Sequence, residues 1–168
     1  MLGCAPSSCA AGAAGPVAGF SSGTMRRILS LWLVHWATDR LCLDLGRRRL
    51  GAPDPAVPLA LTVWYLGAQR LGRVNRPALD LGLEVGMTLA DARARVPALV
   101  VHQAAPAAER RALQRLADWC GRYSPWVAID GEDGIKLEIT GSAHLFGGEA
   151  ALLADLETRL AGFAVTAR

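Results

Sequence analysis

Three acidic residues, Asp130, Glu132 and Asp133, stand close together where the chain is expected to turn. Neighbouring carboxylates can hold a divalent cation, because magnesium prefers oxygen ligands and is bound by one or two carboxylates together with substrate phosphates. Gly131 and Gly134 bracket a four-residue turn, so the acids would lie at the tip of a β-hairpin. A solvated hairpin tip carries the same residue types, and spacing alone leaves both interpretations open.

The other residues that could do chemistry have weaker patterns. His35, His102 and His144 lack the spacing of metal ligands. A G-x-S-x-G string spans Gly19–Gly23, but this motif positions a nucleophile only between a strand and a helix, and here its surroundings are rich in Ala, Gly and Ser. Lys136 is the only lysine, and no G-x-G-x-x-G occurs, so neither a Walker A loop nor a dinucleotide fingerprint is present.

The overall composition predicts a globular protein. The chain has 168 residues, 52% of them hydrophobic and 20% charged. A chain of this length and hydrophobic content can form a stable core without disulfides or metal. Its apolar runs are shorter than the roughly 20 residues of a membrane-spanning helix. The four cysteines form no C-x-x-C pair, as expected of reduced thiols. We therefore expect a soluble, cytoplasmic protein with no membrane partner.

The basic residues are almost all arginine, and the excess of 18 basic over 15 acidic residues permits a nucleic-acid partner without requiring one. Contacts to DNA phosphates need only positive charge on the right face, and a solvated surface explains the same residues equally well. The DNA-binding candidates are Arg47, Arg48, Arg49, Arg70, Arg73 and Arg76.

The segment before Met25 differs in kind from the rest of the chain. Residues 1–24 carry no charge and are mostly Ala, Gly and Ser. They lack the positive residues and apolar core of a secretory signal. We interpret them as a disordered leader, or as translation from a start codon upstream of a natural start at Met25.

The elements that must position the acids follow from the apolar patterns after Met25. The predicted strands are Ile28–Val34, buried on both faces, then Leu59–Tyr65, Leu99–His102, Pro125–Asp130, Ile135–Thr140 and the start of a last one at Phe163–Ala167. The predicted helices are Trp36–Arg48, Pro77–Leu81, a short one opened by the box Thr88–Asp91 and closed before Pro97, Ala107–Cys120 and Glu149–Ala161.

This order indicates an α+β fold. If residues 36–102 are an inserted small α/β subdomain, the remainder reads βαββαβ with a truncated last strand, which is the ferredoxin-like arrangement. Its first and third strands are antiparallel neighbours, so the end of the first strand, Trp32 to Val34, should approach the hairpin at Glu132 to Gly134. A site could be assembled at that corner.

Four strings carry a resemblance to a known family: LWLVHWATD at Leu31–Asp39, GMTLADAR at Gly86–Arg93, LADWCGRYSPW at Leu116–Trp126 and LEITGSAHLFGG at Leu137–Gly148. From Met25 onward the chain resembles the N-terminal part of Y-family translesion DNA polymerases. It resembles most closely a polymerase-derived accessory branch of that family. The resemblance implies a palm over residues 25–35 and 103–168 with fingers over 36–102.

The resemblance also implies which residues occupy the family's metal site. Active members have an aspartate on the first strand, followed by a residue whose carbonyl touches metal, and the matching positions are Trp32 and Leu33. Their hairpin supplies adjacent Asp and Glu, and the matching pair is Asp133 and Gly134. An indole has a donor but no acceptor, so Trp32 cannot ligate a cation. One of three acids remains, and magnesium is expected only if the protein is an active polymerase.

The nucleotide-binding positions depart from the family in the same way. Active members grip the triphosphate with a tyrosine and, three residues on, an arginine, and these positions are Arg76 and Leu79 here. We expect Trp32 to fill the corner as a core residue, where its burial would contribute about 2 kcal/mol. The five tryptophans are most simply core residues, although an exposed one could anchor a partner: Trp32, Trp36, Trp64, Trp119 and Trp126.

Three functions remain open. The first, implied by the resemblance, is a noncatalytic adaptor that helps bring an error-prone replicative-type DNA polymerase to damaged DNA, beside a RecA-like accessory protein and the sliding clamp. The second is an active polymerase with unusual ligands such as Asp39 and Asp130. The third is a ferredoxin-like binding module with no DNA role. Because the family continues through a thumb, a little finger and a tail, we expect this chain to be a partial polypeptide.

Overall fold

A computed structural model describes residues 25–168. The predicted leader at 1–24 and the Gly19–Gly23 motif lie outside the described residues. The strands are β1 (Ile28–Trp32), β2 (Leu59–Tyr65), β3 (Ala68–Val74), β4 (Val100–Gln103), β5 (Val127–Asp130) and β6 (Gly134–Glu138). The helices are α1 (Trp36–Arg47), α2 (Arg76–Asp80), α3 (Leu89–Arg95), α4 (Pro106–Cys120) and α5 (Glu149–Gly162), with a 3₁₀ turn at Ala143–Phe146.

The first sheet has the strand order β1-β6-β5, with antiparallel neighbours throughout. Its buried face carries Leu29 and Leu31 and packs in one core with Leu113 of α4 and Leu156 of α5. The prediction that the first strand is buried on both faces is wrong, because exposed and buried residues alternate along β1. The two helices cover only one face of this antiparallel sheet, and the other face meets solvent.

The segment after α5 runs beside β1, where the last strand of the ferredoxin-like order was predicted. Trp32 and Arg168 exchange two backbone hydrogen bonds, each 2.8 Å, and the Val34 amide donates to the Thr166 carbonyl at 3.2 Å. These bonds define an antiparallel register, although a regular strand does not form over the described residues. The spatial order is then the C-terminal segment, β1, β6 and β5, as in the ferredoxin-like fold.

The second sheet has the order β3-β2-β4, with β2 antiparallel to β3 and parallel to β4. The sequence analysis missed β3. A two-residue turn at Leu66 and Gly67, both with positive φ, joins it to β2, as in a type I′ hairpin. A leucine at the first turn position hides this hairpin from sequence rules that look for Asn-Gly or Asp-Gly.

Asn75 anchors the second sheet to α2. Its side-chain oxygen caps the helix by accepting from the Ala78 amide at 3.1 Å, and it also accepts from the Leu59 amide at 2.9 Å. Its amide nitrogen donates to the Val57 carbonyl at 2.8 Å. One side chain therefore joins the start of β2, the end of β3 and α2.

The tryptophans are not uniformly buried, which corrects the prediction that all five lie in the core. Trp32 is 50% exposed, and Trp64 and Trp126 are each 70% exposed, whereas Trp36 is 6% exposed. Trp119 is partly buried against the main core. Trp32 is exposed because it lies on the uncovered face of β1. No helix in the described part of the chain is long and apolar enough to cross a membrane.

Candidate functional site

The candidate site lies at the corner between the end of β1 and the β5–β6 hairpin. Trp32 is paired with Gly134 across the sheet, and the Leu33 amide donates to the Asp133 carbonyl at 2.8 Å. The fold therefore brings together the three positions at which the resemblance places acids in active polymerases. They are distant in sequence, and only the antiparallel β1–β6 pairing makes them neighbours.

The side chain of Trp32 contacts the one acid that remains at these positions. Its indole nitrogen donates to Oδ2 of Asp133 at 3.3 Å. The expectation that Trp32 has become core is wrong, because half of its surface is exposed. The indole instead lies over the open face of the sheet and occupies one lone pair of the Asp133 carboxylate. An indole N–H can only donate, so it adds no ligand for a cation.

Gly134 is the second departure from an acidic corner. A Cβ placed on Gly134 would lie 2.5 Å from the Asp130 carbonyl oxygen and 3.2 Å from the Asp130 Cβ. Both atoms belong to Asp130, the last residue of β5, so they cannot move aside without displacing the hairpin backbone. The hairpin is therefore built around a glycine at this position, and any side chain there requires a rearranged turn.

Glu132 at the hairpin tip is bound to the second sheet. Nη2 of Arg73, on β3, lies 2.6 Å from Oε2 of Glu132. The two residues are separated by 59 positions, and the contact holds β3 against the hairpin. The Arg73 guanidinium therefore pairs with the carboxylate of Glu132, the residue next to Asp133.

The remaining acids proposed as unusual ligands each have a partner of their own. Asp130 forms an ion pair with Nζ of Lys136 at 2.8 Å. Asp39 accepts from the Thr166 amide at 2.8 Å, and burial raises the pKa of its carboxyl. Within residues 25–168 no group of three or more His, Cys, Asp or Glu side chains is arranged to hold a metal ion. The corner residues present do not match the two-metal ligand set implied by the resemblance.

The spaces around the corner differ greatly in size. The cavity between the start of α1, Arg73 and Asp133 has a volume of about 30 Å³. Small-molecule sites usually measure about 300–1,000 Å³, so this cavity by itself is too small to enclose a nucleotide. A cleft of about 450 Å³ opens beside it, between the β2–β3 hairpin and α4, and is lined by Arg70, Arg73 and Glu132.

The six arginines predicted to bind DNA do not form one surface. Arg70 and Arg73 line the cleft beside the corner, and Arg70 donates to the Gly86 carbonyl at 2.8 Å. Arg76 begins α2 and pairs with Asp80 at 2.8 Å, and Leu79 one turn on is 42% exposed. Arg47, Arg48 and Arg49 lie at the end of α1, where the first two line a separate groove.

Sequence analysis missed the arginines that complete that separate groove. Arg40 on α1 and Arg111 and Arg115 on α4 face the same space as Arg47. The available signal was helical spacing, since Arg111 and Arg115 are four residues apart and Arg40 and Arg47 are seven apart. Spacing indicates that each pair shares a helix face, but it does not reveal that the two faces meet.

A ferredoxin-like sheet with an inserted second sheet, and a corner between β1 and a hairpin, is the fold seen in solved Y-family DNA polymerases. Solved structures share it at low sequence identity. DinB from Sulfolobus solfataricus matches with a TM-score of 0.63 and 15% identity, covering 84% of this chain and 40% of that one. An insertion ternary complex of Dbh DNA polymerase matches with a TM-score of 0.66 and 15% identity, covering 84% and 41%.

Within this class the chain belongs to the impB/mucB/samB family, whose model matches residues 56–165. The curated protein ImuB of Caulobacter vibrioides is 58% identical over 88 residues, in two strains. That match covers 52% of this chain and 19% of the relative's length. The chain thus corresponds to a small part of a longer relative.

Proposed function

We propose that this chain is a noncatalytic UmuC-like domain that supports error-prone translesion synthesis by helping to recruit another DNA polymerase. Residues 25–35 and 103–168 would serve as its palm, and residues 36–102 as its fingers. The contact between Trp32 and Asp133 carries the proposal, because it puts an indole where an active member needs a metal-binding carboxylate.

The chemistry of phosphoryl transfer supports this proposal. Two magnesium ions normally activate the attacking hydroxyl and stabilise the leaving phosphate, and the protein must hold them from both walls of the site. Here Asp133 faces an indole, and Gly134 has no side chain and no room for one. A single carboxylate binds magnesium weakly, so the main electrostatic stabilisation of the transition state would be lost.

The nucleotide-binding positions point the same way. Arg76 is engaged by Asp80, and Leu79 offers no charge to a triphosphate. Magnesium would be a cofactor only for an active polymerase, and the proposed adaptor needs none.

The proposed partners follow from the family resemblance. DNA would be bound weakly, through phosphate contacts. An error-prone replicative-type polymerase, a RecA-like accessory protein and the sliding clamp would be partners of the full-length relatives, and the setting would be the cytoplasm. Arg73 is held by Glu132, Arg76 by Asp80 and Arg48 by Asp44, which supports weak DNA binding.

Primer extension tests the catalytic part of the proposal. The purified chain is incubated with a primed template, all four deoxynucleotides and magnesium or manganese, beside an active Y-family polymerase as positive control. We expect no extension above the background without protein. Template-directed incorporation by the unchanged chain would overturn the proposal.

A mobility-shift titration with the same primed DNA tests the binding part. We expect weak binding that falls as salt rises, because phosphate contacts release counterions. Binding that is absent at low salt would instead favour a ferredoxin-like module with no DNA role.

A further inference from the structure

A basic groove runs between α1 and α4, and Trp36 lines both this groove and the small cavity at the corner. It has a volume of about 330 Å³. Arginines supply its charge from both helices, and Asp44 is the single acid in its lining. The arginines are Arg40 and Arg47 on α1, Arg48 at its C-terminal cap, and Arg111 and Arg115 on α4.

The one acid cannot neutralise this cluster. Asp44 lies 3.4 Å from Nη2 of Arg48 and 3.7 Å from Nη1 of Arg40. The Arg40 side chain is only 11% exposed, and its Nε is buried without a hydrogen-bond partner in the part of the chain that the structure describes. A buried charged group gains when an opposite charge is supplied, so the groove favours an anion.

The groove also has an apolar floor. Leu43 and Phe163 line it, and Phe163 is 38% exposed, whereas Trp36 and Leu116 in the same lining are buried. The Trp36 indole donates to the Glu109 carbonyl at 3.3 Å, which fixes α1 against α4 and holds the walls in place. A ligand that matches this surface has an apolar face flanked by carboxylates, as an acidic amphipathic helix does.

The aromatic residues favour a protein ligand over single-stranded nucleic acid. Bases bind such grooves by stacking on exposed aromatic faces. Here the Arg122 guanidinium covers the Trp119 ring at 4.3 Å, and Phe163 packs edge-on against it at 5.3 Å. Trp36 is 6% exposed. The two tryptophan rings are thus packed within the protein, whereas Phe163 is 38% exposed, and one exposed ring gives no stacking platform for successive bases.

We propose that the groove between α1 and α4 binds an acidic amphipathic segment of a partner protein. This inference rests on the proposed function, since an adaptor must hold a protein partner.

Fluorescence anisotropy with a designed peptide tests the proposal. The probe is a labelled helical peptide of about twenty residues, with Glu along one side and Leu along the other. We expect saturable binding to the unchanged chain, and about tenfold weaker binding to Arg111→Glu and to Arg115→Glu, since each reverses an exposed charge at the groove. Arg110→Glu, on the same helix but facing the cleft beside the corner, is the matched control and should bind as the unchanged chain does.

Three results with the peptide would overturn the proposal. They are no saturable binding by the unchanged chain, an equal loss in Arg110→Glu, or equal binding of a peptide with every Glu replaced by Lys. A labelled oligothymidylate that binds the chain and loses affinity in Arg111→Glu and Arg115→Glu would assign the groove to nucleic acid, and also overturn it. Circular dichroism confirms that each variant is folded. If the peptide does not bind, the result of primer extension is unaffected. The groove proposal can therefore fail while the proposed function stands.

Discussion

Arg73 and Glu132, on different sheets, form an ion pair of 2.6 Å between Nη2 and Oε2. Arg73 lies on β3 and Glu132 on the turn between β5 and β6, so the pair joins the two sheets at the mouth of the cleft. The ion pair also fixes the position of Glu132, which directly precedes Asp133.

Breaking the Arg73–Glu132 pair should change stability little. The side chains are 49% and 80% exposed, and exposed ion pairs contribute about 0.2–1 kcal/mol. A double-mutant cycle with Arg73→Ala and Glu132→Ala, followed by urea denaturation, measures the coupling directly. We expect it to fall within that range and to shrink in high salt. A coupling well above about 2 kcal/mol would show that the pair is a principal structural contact.

Gly134→Ala should destabilise the protein by about 1–3 kcal/mol, because the added Cβ meets the Asp130 carbonyl oxygen at 2.5 Å. The matched control is Gly141→Ala, where a Cβ meets nothing within 4 Å and φ is not in the left-handed region. Thermal denaturation of the two variants provides the comparison. Equal melting temperatures would mean that the hairpin accommodates a side chain.

Trp32→Ala should cost much less stability than Trp36→Ala. Trp32 is 50% exposed, whereas Trp36 is 6% exposed and hydrogen-bonded to the Glu109 carbonyl. Truncating a buried tryptophan typically costs about 3–5 kcal/mol. We expect a value in that range for Trp36 and roughly 1 kcal/mol for Trp32, because only about half of the Trp32 side chain is buried in the folded protein. Chemical denaturation measures both, and similar losses would contradict the exposed position of Trp32.

The Tyr123 hydroxyl should ionise only at high pH. Burial first, and then its 2.6 Å hydrogen bond to Asp155, raise the pKa of Tyr123 to about 12. Its folded pKa lies above the unfolded value of about 10, so this group stabilises the fold below pH 10, and the contribution is lost as pH rises through 12. Absorbance titration of a Tyr65→Phe variant follows Tyr123 alone.

Asp155→Asn in the same background should lower the pKa of Tyr123, because it removes a negative charge that opposes ionisation. The downward shift should be partial, since burial is the larger cause and remains. A Tyr123 transition near pH 10 in the folded Tyr65→Phe protein would contradict the buried hydrogen bond. Circular dichroism at each pH separates ionisation of the folded state from unfolding.

Local patterns were enough to predict most of the elements. The period of Leu113, Leu116 and Cys120 predicted α4, and the glycine-bracketed acids predicted the β5–β6 hairpin. The element order predicted the ferredoxin-like sheet, and with it the approach of Trp32 to Asp133. These predictions succeed because helix faces and tight turns depend on residues a few positions apart. The strand β3 was missed because an unfavoured residue occupies its turn.

The sequence by itself determined which chemistry is present at the corner: an indole, one remaining carboxylate and a glycine at matching positions. Only the tertiary structure decided that Trp32 is exposed, that Arg73 holds Glu132, and that arginines of α1 and α4 share one groove. The alternation of residues along a strand does not specify whether a second layer covers the other face of the sheet. Contacts between residues tens of positions apart arise from the packing of whole elements, which no local pattern encodes.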